Sequence, residues 1–205
     1  MITALTVNYN TPDILERLLT SFRKFYDIPY LVVDGSDATH YEKIKDFPQR
    51  FNIELKHFDH NIHHGPGMAW GINHIQTSQI LLQDSDMIIL SGGWLEEMVR
   101  VLQPTDYGTG DIQAGNGQQG YIAEYMHPAL ALINRDVALR YPLPDKTGMP
   151  LFNAMQQLKK EGNMGLLKRS VWLTEDLWQH LGKYVQHGSD HEGMSTVRAT
   201  GGYNY

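Results

Sequence analysis

The sequence contains no cysteine, so neither a disulfide framework nor thiolate chemistry is open to it. It contains no apolar run that approaches the length of a membrane span. It has no excess of basic residues either. Lys and Arg number 17 against 23 Asp and Glu, for a formal net charge of −6, so no nucleic-acid or anionic-membrane surface is indicated. The opening Met1-Ile-Thr-Ala-Leu-Thr-Val7 carries no basic n-region and no cleavage pattern, and a cytoplasmic protein is expected. What is present is a chain of 205 residues, 41% hydrophobic and 20% charged. That suits one soluble globular domain with a sizeable core.

The organising stretch is Ile80-Leu-Leu-Gln-Asp84-Ser85-Asp86-Met87-Ile-Ile-Leu90. Apolar residues on both sides of a short polar interruption predict a strand buried on both faces, with its polar break at a surface. In extended chain Asp84 and Asp86 share a face. Two hard carboxylates on one face can hold Mg²⁺ or Mn²⁺, and such an ion can bridge to a diphosphate. The same tripeptide also suits a plain polar turn.

Elsewhere the chain alternates. Thr3 to Tyr9 reads as a strand rich in β formers, broken at Asn8-Tyr9-Asn10-Thr11-Pro12. Thr11 suits a helix N-cap, Pro12 the first helical position, and Asp13 the positive end of the helix dipole. Ile14, Leu15, Leu18, Leu19, Phe22 and Phe25 follow at helical spacing. Pro29 to Val33 predicts a buried second strand ending at Asp34-Gly35-Ser36-Asp37. Tyr41 to Phe51 predicts a weaker helix, and Ile53 to Phe58 a third strand. Asn61 to Asn73 then holds His63, His64, Gly65 and Gly67 ahead of Met68, Ala69 and Ile72. A glycine-bearing loop feeding a helix lets backbone approach a phosphate or sugar; it equally suits tight helix packing. The two histidines read as surface or hydrogen-bonded side chains. Ile80 to Leu90 is the fourth strand, and Trp94, Leu95, Met98, Val99 and Leu102 mark a helix after it.

This βα alternation predicts a three-layer α/β/α sandwich with a mostly parallel sheet and a Rossmann-like nucleotide-binding half. Polar clusters at residues 8–11, 34–37 and 84–86 would gather on one edge of that sheet, where α/β sheets bind ligands.

At these residues the chain resembles the family 2 glycosyltransferases, which have the GT-A fold. The likeness rests on Val7-Asn8-Tyr9-Asn10-Thr11, on Val33-Asp34-Gly35-Ser36, loosely on Asn61 to Asn73, and on Leu82-Gln83-Asp84-Ser85-Asp86, in that order over about the first hundred residues. The resemblance implies a single GT-A domain over residues 1–205. Residues 1–103 would be its nucleotide-sugar-binding half and residues 104–205 its acceptor side, with a mobile C-terminal segment. It implies a metal-dependent transfer of a hexosyl or pentosyl group, with inversion, from a nucleotide sugar to an acceptor whose nature (glycan, protein or small molecule) is open. Tyr9, Asn10 and Thr11 would lie against the nucleoside, and Asn8 is grouped with them. Asp34 would accept a hydrogen bond from the N–H of a pyrimidine, favouring a UDP- or dTDP-type donor. Gly65, Gly67 and Ser85 are grouped with the nucleotide site. Asp84 would sit near the ribose or the metal and Asp86 would bind Mn²⁺ or Mg²⁺. A GT-A-like nucleotidyltransferase and a non-catalytic nucleotide-sugar-binding protein are the alternatives. The first usually carries a basic glycine-rich phosphate loop after strand one, which Asn8 to Thr11 is not.

The second half departs from the family. Gly108 to Gly120 reads as a loop or an irregular strand pair, Ala129 to Ile133 as a strand, Asn134-Arg135-Asp136 as the start of a short helix, Leu151 to Glu161 as a helix, and Leu166 to Leu173 as a late strand. Inverting members use a carboxylate base, often in an acidic pair before the helix that starts here near Leu151. That pair is replaced by Met149-Pro150-Leu151-Phe152-Asn153, which leaves Asp145 and Asp176 as base candidates. The family often adds a histidine as third metal ligand after its last strand. His187 is preferred, since Tyr184-Val185 delivers it to a Gly-Ser turn, with His180 and His191 as alternatives.

Overall fold

A computed structural model describes residues 1–113 and 124–170, together with the backbone of residues 185–187. Four strands, β1 (Ile2–Asn8), β2 (Tyr30–Asp34), β3 (Glu54–His57) and β4 (Gln79–Asp84), run parallel. Between them lie α1 (Pro12–Phe22), the short α2 (Ala38–Tyr41) and α3 (Phe47–Phe51), and α4 (His64–His74). The weaker helix expected from Tyr41 to Phe51 is thus two short helices flanking a turn. β5 (Met87–Ile89) and α5 (Trp94–Val101) follow, then β6 (Gly108–Gln113), β7 (Tyr125–Asn134), α6 (Arg135–Ala138), α7 (Phe152–Lys160), β8 (Leu167–Arg169) and β9 (Val185–His187).

The main sheet has seven strands in the order β3-β2-β1-β4-β7-β6-β8. Only β7 runs against its neighbours β4 and β6, and β8 pairs parallel to β6. The expected fourth strand from Ile80 to Leu90 does not run through. It stops at Asp84, and Met87–Ile89 leaves the main sheet to pair antiparallel with β9. The polar turn offered as the alternative at Asp84-Ser85-Asp86 is what the structure has, with Ser85 and Asp86 forming the turn between β4 and β5.

The two faces of the sheet carry separate cores. On one, Ala4, Val32, Leu81 and Leu132 pack with Leu15, Leu18, Leu19 and Phe22 of α1 and with Trp94 and Met98 of α5. On the other, Leu5, Leu31, Val33, Leu82 and Ile133 pack with Met68 and Ile72 of α4 and with Met155 and Leu158 of α7. The three-layer α/β/α arrangement follows directly, since each face of a strand buries every second residue. Fully burying each Leu or Phe of the α1 stripe contributes about 1.5–3 kcal/mol. Helix α4 sits unusually close to β1 because it offers glycines there. A Cβ on Gly71 would lie 2.5 Å from Leu5 Cδ1, and one on Gly67 would lie 2.8 Å from Val7 Cγ1.

Candidate active site

The chain builds the sheet outward from β1 to β2 and β3, then returns through α4 to place β4 on the other side of β1. The order reverses there, which opens a crevice beyond the carboxyl ends of β1 and β4. Asn8 stands in register with Asp34, and Val7 with Asp84. All three polar clusters read from the sequence therefore reach this edge.

Asp34 is fully buried, at 0% exposure. Its Oδ1 accepts from Asn8 Nδ2 at 2.7 Å and from the Ser36 hydroxyl at 2.6 Å. Its Oδ2 accepts from Ser36 N at 3.2 Å and from His57 Nδ1 at 2.7 Å. An ionised carboxylate has about four acceptor positions, and here the protein fills them. The base contact expected of Asp34 is therefore already taken up by the protein, and the partly exposed end of the network is His57. The ring of Tyr41 stacks on the His57 imidazole, with centroids 3.8 Å apart and planes at 19°. Sequence reading missed His57 because it lay in an alternating strand. The available signal was its position at the carboxyl end of that strand.

The loop after β1 is tied to the loop after β2. Asn10 has a left-handed backbone, φ 54°, which Asn tolerates. Its N–H donates to the Ser36 hydroxyl at 2.8 Å, its Nδ2 donates to Asp37 Oδ2 at 3.1 Å, and Asp37 N donates back to Asn10 Oδ1 at 3.0 Å. Hydrogen bonds from the His40 side chain and backbone hold Asp37 below the usual carboxylate range. Thr11 occupies the N-cap of α1 but makes no capping hydrogen bond. Its hydroxyl donates to Asn8 Oδ1 at 2.7 Å instead, because the network around Asn8 offers a buried acceptor. Tyr9 is left 47% exposed at the mouth.

Across the crevice, Asp84 Oδ1 is buried and has no hydrogen-bond partner. The nearest cation-forming group is His64 Nε2 at 3.5 Å, beyond hydrogen-bonding geometry. An orphaned carboxylate oxygen in the interior is costly and calls for an ion or water, so the donor set fits a hard divalent cation. Asp86 lies in the turn after Asp84 and Ser85, before β5. Among the described residues no three His, Asp or Glu side chains gather closely enough to hold a metal by themselves. Pairing of β9 with β5 sets the His187 backbone opposite Met87, one residue beyond Asp86. His180, His191 and Asp176 lie outside the described residues.

The glycines of the α4 loop serve packing here. Gly67 faces Val7 and Ile62, while a Cβ on Gly65 would lie 2.4 Å from Lys146 N and 2.7 Å from the Asp145 carbonyl carbon. Close approach of backbone to phosphate, the expected use of Gly65 and Gly67, is replaced by close approach of backbone to protein. This contact also brings the Asp145 segment beside the residue that follows His64. The Asp145 side chain is exposed, and its Oδ2 accepts from Asn153 Nδ2 at 2.7 Å.

A further carboxylate reaches the same sheet edge. Asp111, near the end of β6 and opposite His127, lies beside a bulge between Gly110 and Asp111. Burial raises its pKa, against the opposing effects of Gln113, His127 and Arg169. The sequence leaves this stretch as a loop or an irregular strand pair, and at Asp111 the structure has the strand.

Comparison with solved structures places the fold. A mannosyltransferase from Pyrobaculum calidifontis, solved with GDP-Man and Mn²⁺, superposes with a TM-score of 0.62 at 14% identity over 89% of this chain and 63% of its own. Glucosyl-3-phosphoglycerate synthase from Mycobacterium tuberculosis, solved with Mn²⁺, UDP-Glc and phosphoglyceric acid, gives 0.61 at 11% identity over 82% of this chain and 68% of its own. TarS from S. aureus gives 0.53 at 14% identity over 74% of this chain and 32% of its own. The chain thus spans less than two thirds of the mannosyltransferase and about a third of TarS. No curated protein of similar sequence matches it. The fold is that of the GT-A glycosyltransferases, and among the described residues no helix is long and apolar enough to cross a membrane. Residues 3–161, most of the chain, match the family model for glycosyl transferase family 2, and the chain belongs to that family.

Proposed function

We propose that this chain transfers a hexosyl or pentosyl group from a nucleoside diphosphate sugar to an acceptor, with a divalent cation held at Asp84 and Asp86. The observation that carries the reading is the orphaned Asp84 Oδ1 in the crevice between β1 and β4. Residues 1–103 form the donor half and residues 104–205 the acceptor side. Mn²⁺ or Mg²⁺, when bound, neutralises the charge that develops on the leaving diphosphate. Asn8, Asn10 and Thr11 fix the loop that carries Tyr9, whose exposed ring offers a face to the nucleoside.

His57 is the side chain through which Asp34 acts on the base. In the neutral tautomer that donates from Nδ1 to the Asp34 carboxylate, His57 keeps Nε2 as an acceptor. An acceptor at that position suits the N3–H of uracil or thymine, and a UDP- or dTDP-type donor is favoured. On the acceptor side Asp145 takes the proton of the attacking hydroxyl as the bond from the sugar to the diphosphate breaks, giving inversion. Asn153 orients its carboxylate for that task. Asp176 is the second candidate for this role. The acceptor is a glycan, protein or small molecule.

The test is thermal stabilisation of the chain by a panel of nucleotide sugars with Mn²⁺, followed by release of nucleoside diphosphate from those that stabilise it. Stabilisation by a uridine or thymidine sugar with slow release on acceptor addition supports the reading. No stabilisation by any of the panel overturns it, and stabilisation without release under any acceptor makes the chain a binding protein.

A further inference from the structure

We propose that His64 is a ligand of the divalent cation and that its nitrogen tilts the site toward Mn²⁺ over Mg²⁺. The inference rests on the reading that a cation binds at Asp84.

Three observations meet at this residue. First, Asp84 Oδ1 is buried without a partner and lies 3.5 Å from His64 Nε2. A direct hydrogen bond would bring these atoms to about 2.8 Å. Two groups bound at about 2.1–2.2 Å to neighbouring positions of an octahedral ion would lie about 3.0–3.1 Å apart. The observed 3.5 Å is too long for a hydrogen bond and leaves room for an ion to draw the two groups together.

Second, the backbone that aims His64 is strained. His63 has φ 61° and ψ 159°, a combination that glycine adopts and L side chains avoid. Such strain persists where the surroundings over-determine it, and it gathers at ligand sites.

Third, the next residue is closely packed. The Gly65 backbone lies against the backbone of Lys146, with no room for a Cβ. His64 therefore lies between a strained residue and one that packs backbone to backbone.

The chemistry sets the consequence. Oxygen-only sites suit Mg²⁺, whereas an imidazole raises affinity for the later first-row ions. One carboxylate oxygen and one imidazole nitrogen leave the remaining positions to diphosphate oxygens and water. His64 also lies on the donor half, so this nitrogen is in place without any contribution from the C-terminal segment.

The experiment is pulsed electron paramagnetic resonance of Mn²⁺ on the full chain with UDP, read for nitrogen coupling from a bound imidazole. Titration of Mn²⁺ and Mg²⁺ by calorimetry accompanies it. Wild type, His64→Ala, His64→Gln and His187→Ala are compared, the glutamine keeping bulk if the alanine fails to fold. Imidazole coupling that is lost or reduced in the His64 variants, with Mn²⁺ affinity down about tenfold or more and Mg²⁺ affinity little changed, supports the assignment. Coupling that survives undiminished in the His64 variants, or that is missing in wild type while Mn²⁺ binds, overturns it and leaves the cation site standing. Absence of Mn²⁺ binding in wild type overturns the cation site as well.

Discussion

His57 Nδ1 lies 2.7 Å from Asp34 Oδ2, joining the end of an edge strand to a carboxylate with no solvent exposure. The pair divides labour. Asp34 gathers Asn8, Ser36 and His57 into one network, and His57, stacked on Tyr41, presents the result at the surface.

His57→Phe keeps a ring against Tyr41 and removes one donor from Asp34. The fold should lose about 1.5–3 kcal/mol, the range for a hydrogen bond to a charged group. UDP and dTDP should bind about tenfold more weakly, while ADP should be little affected. Calorimetry with the three diphosphates checks this, and an equal loss for all of them would remove His57 from the base site.

Asp86→Ala should abolish Mn²⁺-dependent binding of nucleoside diphosphates. It lies in a turn and not in either core, so its thermal midpoint should stay within about 2 °C of wild type, as expected of a substitution away from the core. Retained Mn²⁺-dependent affinity would show that the cation is held elsewhere.

His63→Gly should stabilise the chain. Glycine relieves the strain at φ 61°, about 1–3 kcal/mol, and loses about 0.5–1 kcal/mol through a freer unfolded state. A net gain of about 1 kcal/mol in urea unfolding is expected. A loss would mean that the His63 side chain makes a contact worth more than its strain.

Asp111→Asn should also stabilise, with a definite pH dependence. Burial raises the folded pKa of Asp111 above its ordinary value, while His127 and Arg169 oppose that shift. Folding therefore favours the neutral form, and the stability that Asp111 contributes is present in acid and is lost as pH rises through the folded pKa. The neutral amide escapes that loss. Its advantage should be full at pH 7 and shrink as pH falls toward the ordinary carboxylate range. Thermal unfolding from pH 3.5 to 7 reads it, and an advantage that grows in acid would reverse the sign.

Much of the donor half was legible because its signals are local. The stripe of Ile14, Leu15, Leu18, Leu19 and Phe22 gave α1, and these residues are buried. The polar ends at Asn8, Asp34 and Asp84 gave the sheet edge. What escaped depends on contacts far apart in sequence. The turn at Ser85-Asp86 was open to the sequence as a polar break, but the departure of Met87–Ile89 from the main sheet to pair with β9 was not, because apolar residues flank the break on both sides. Histidine has no period, so nothing in the sequence joined His57 to Asp34, 23 positions away, or His64 to Asp84. The glycines were legible as close approach, but what approaches Gly65 comes from residues 145–146. The second half was partly legible. β7 was found within Tyr125–Asn134, whereas its reversed direction arises from pairing alone.

The strand order has a consequence during synthesis. β1 is flanked by β2 on one side and by β4 on the other, with Ile2 paired to Gln79. Fifty residues separate Asp34, which completes β2, from Asp84, which completes β4. At about 5–20 residues per second on the ribosome, β1 waits on the order of 3–10 s with one edge unpaired. That edge belongs to a strand rich in buried residues, the kind that templates pairing with other chains. The nascent chain thus carries an unpaired β1 edge until Gln79–Asp84 arrives, and slowing translation between residues 34 and 84 lengthens that interval.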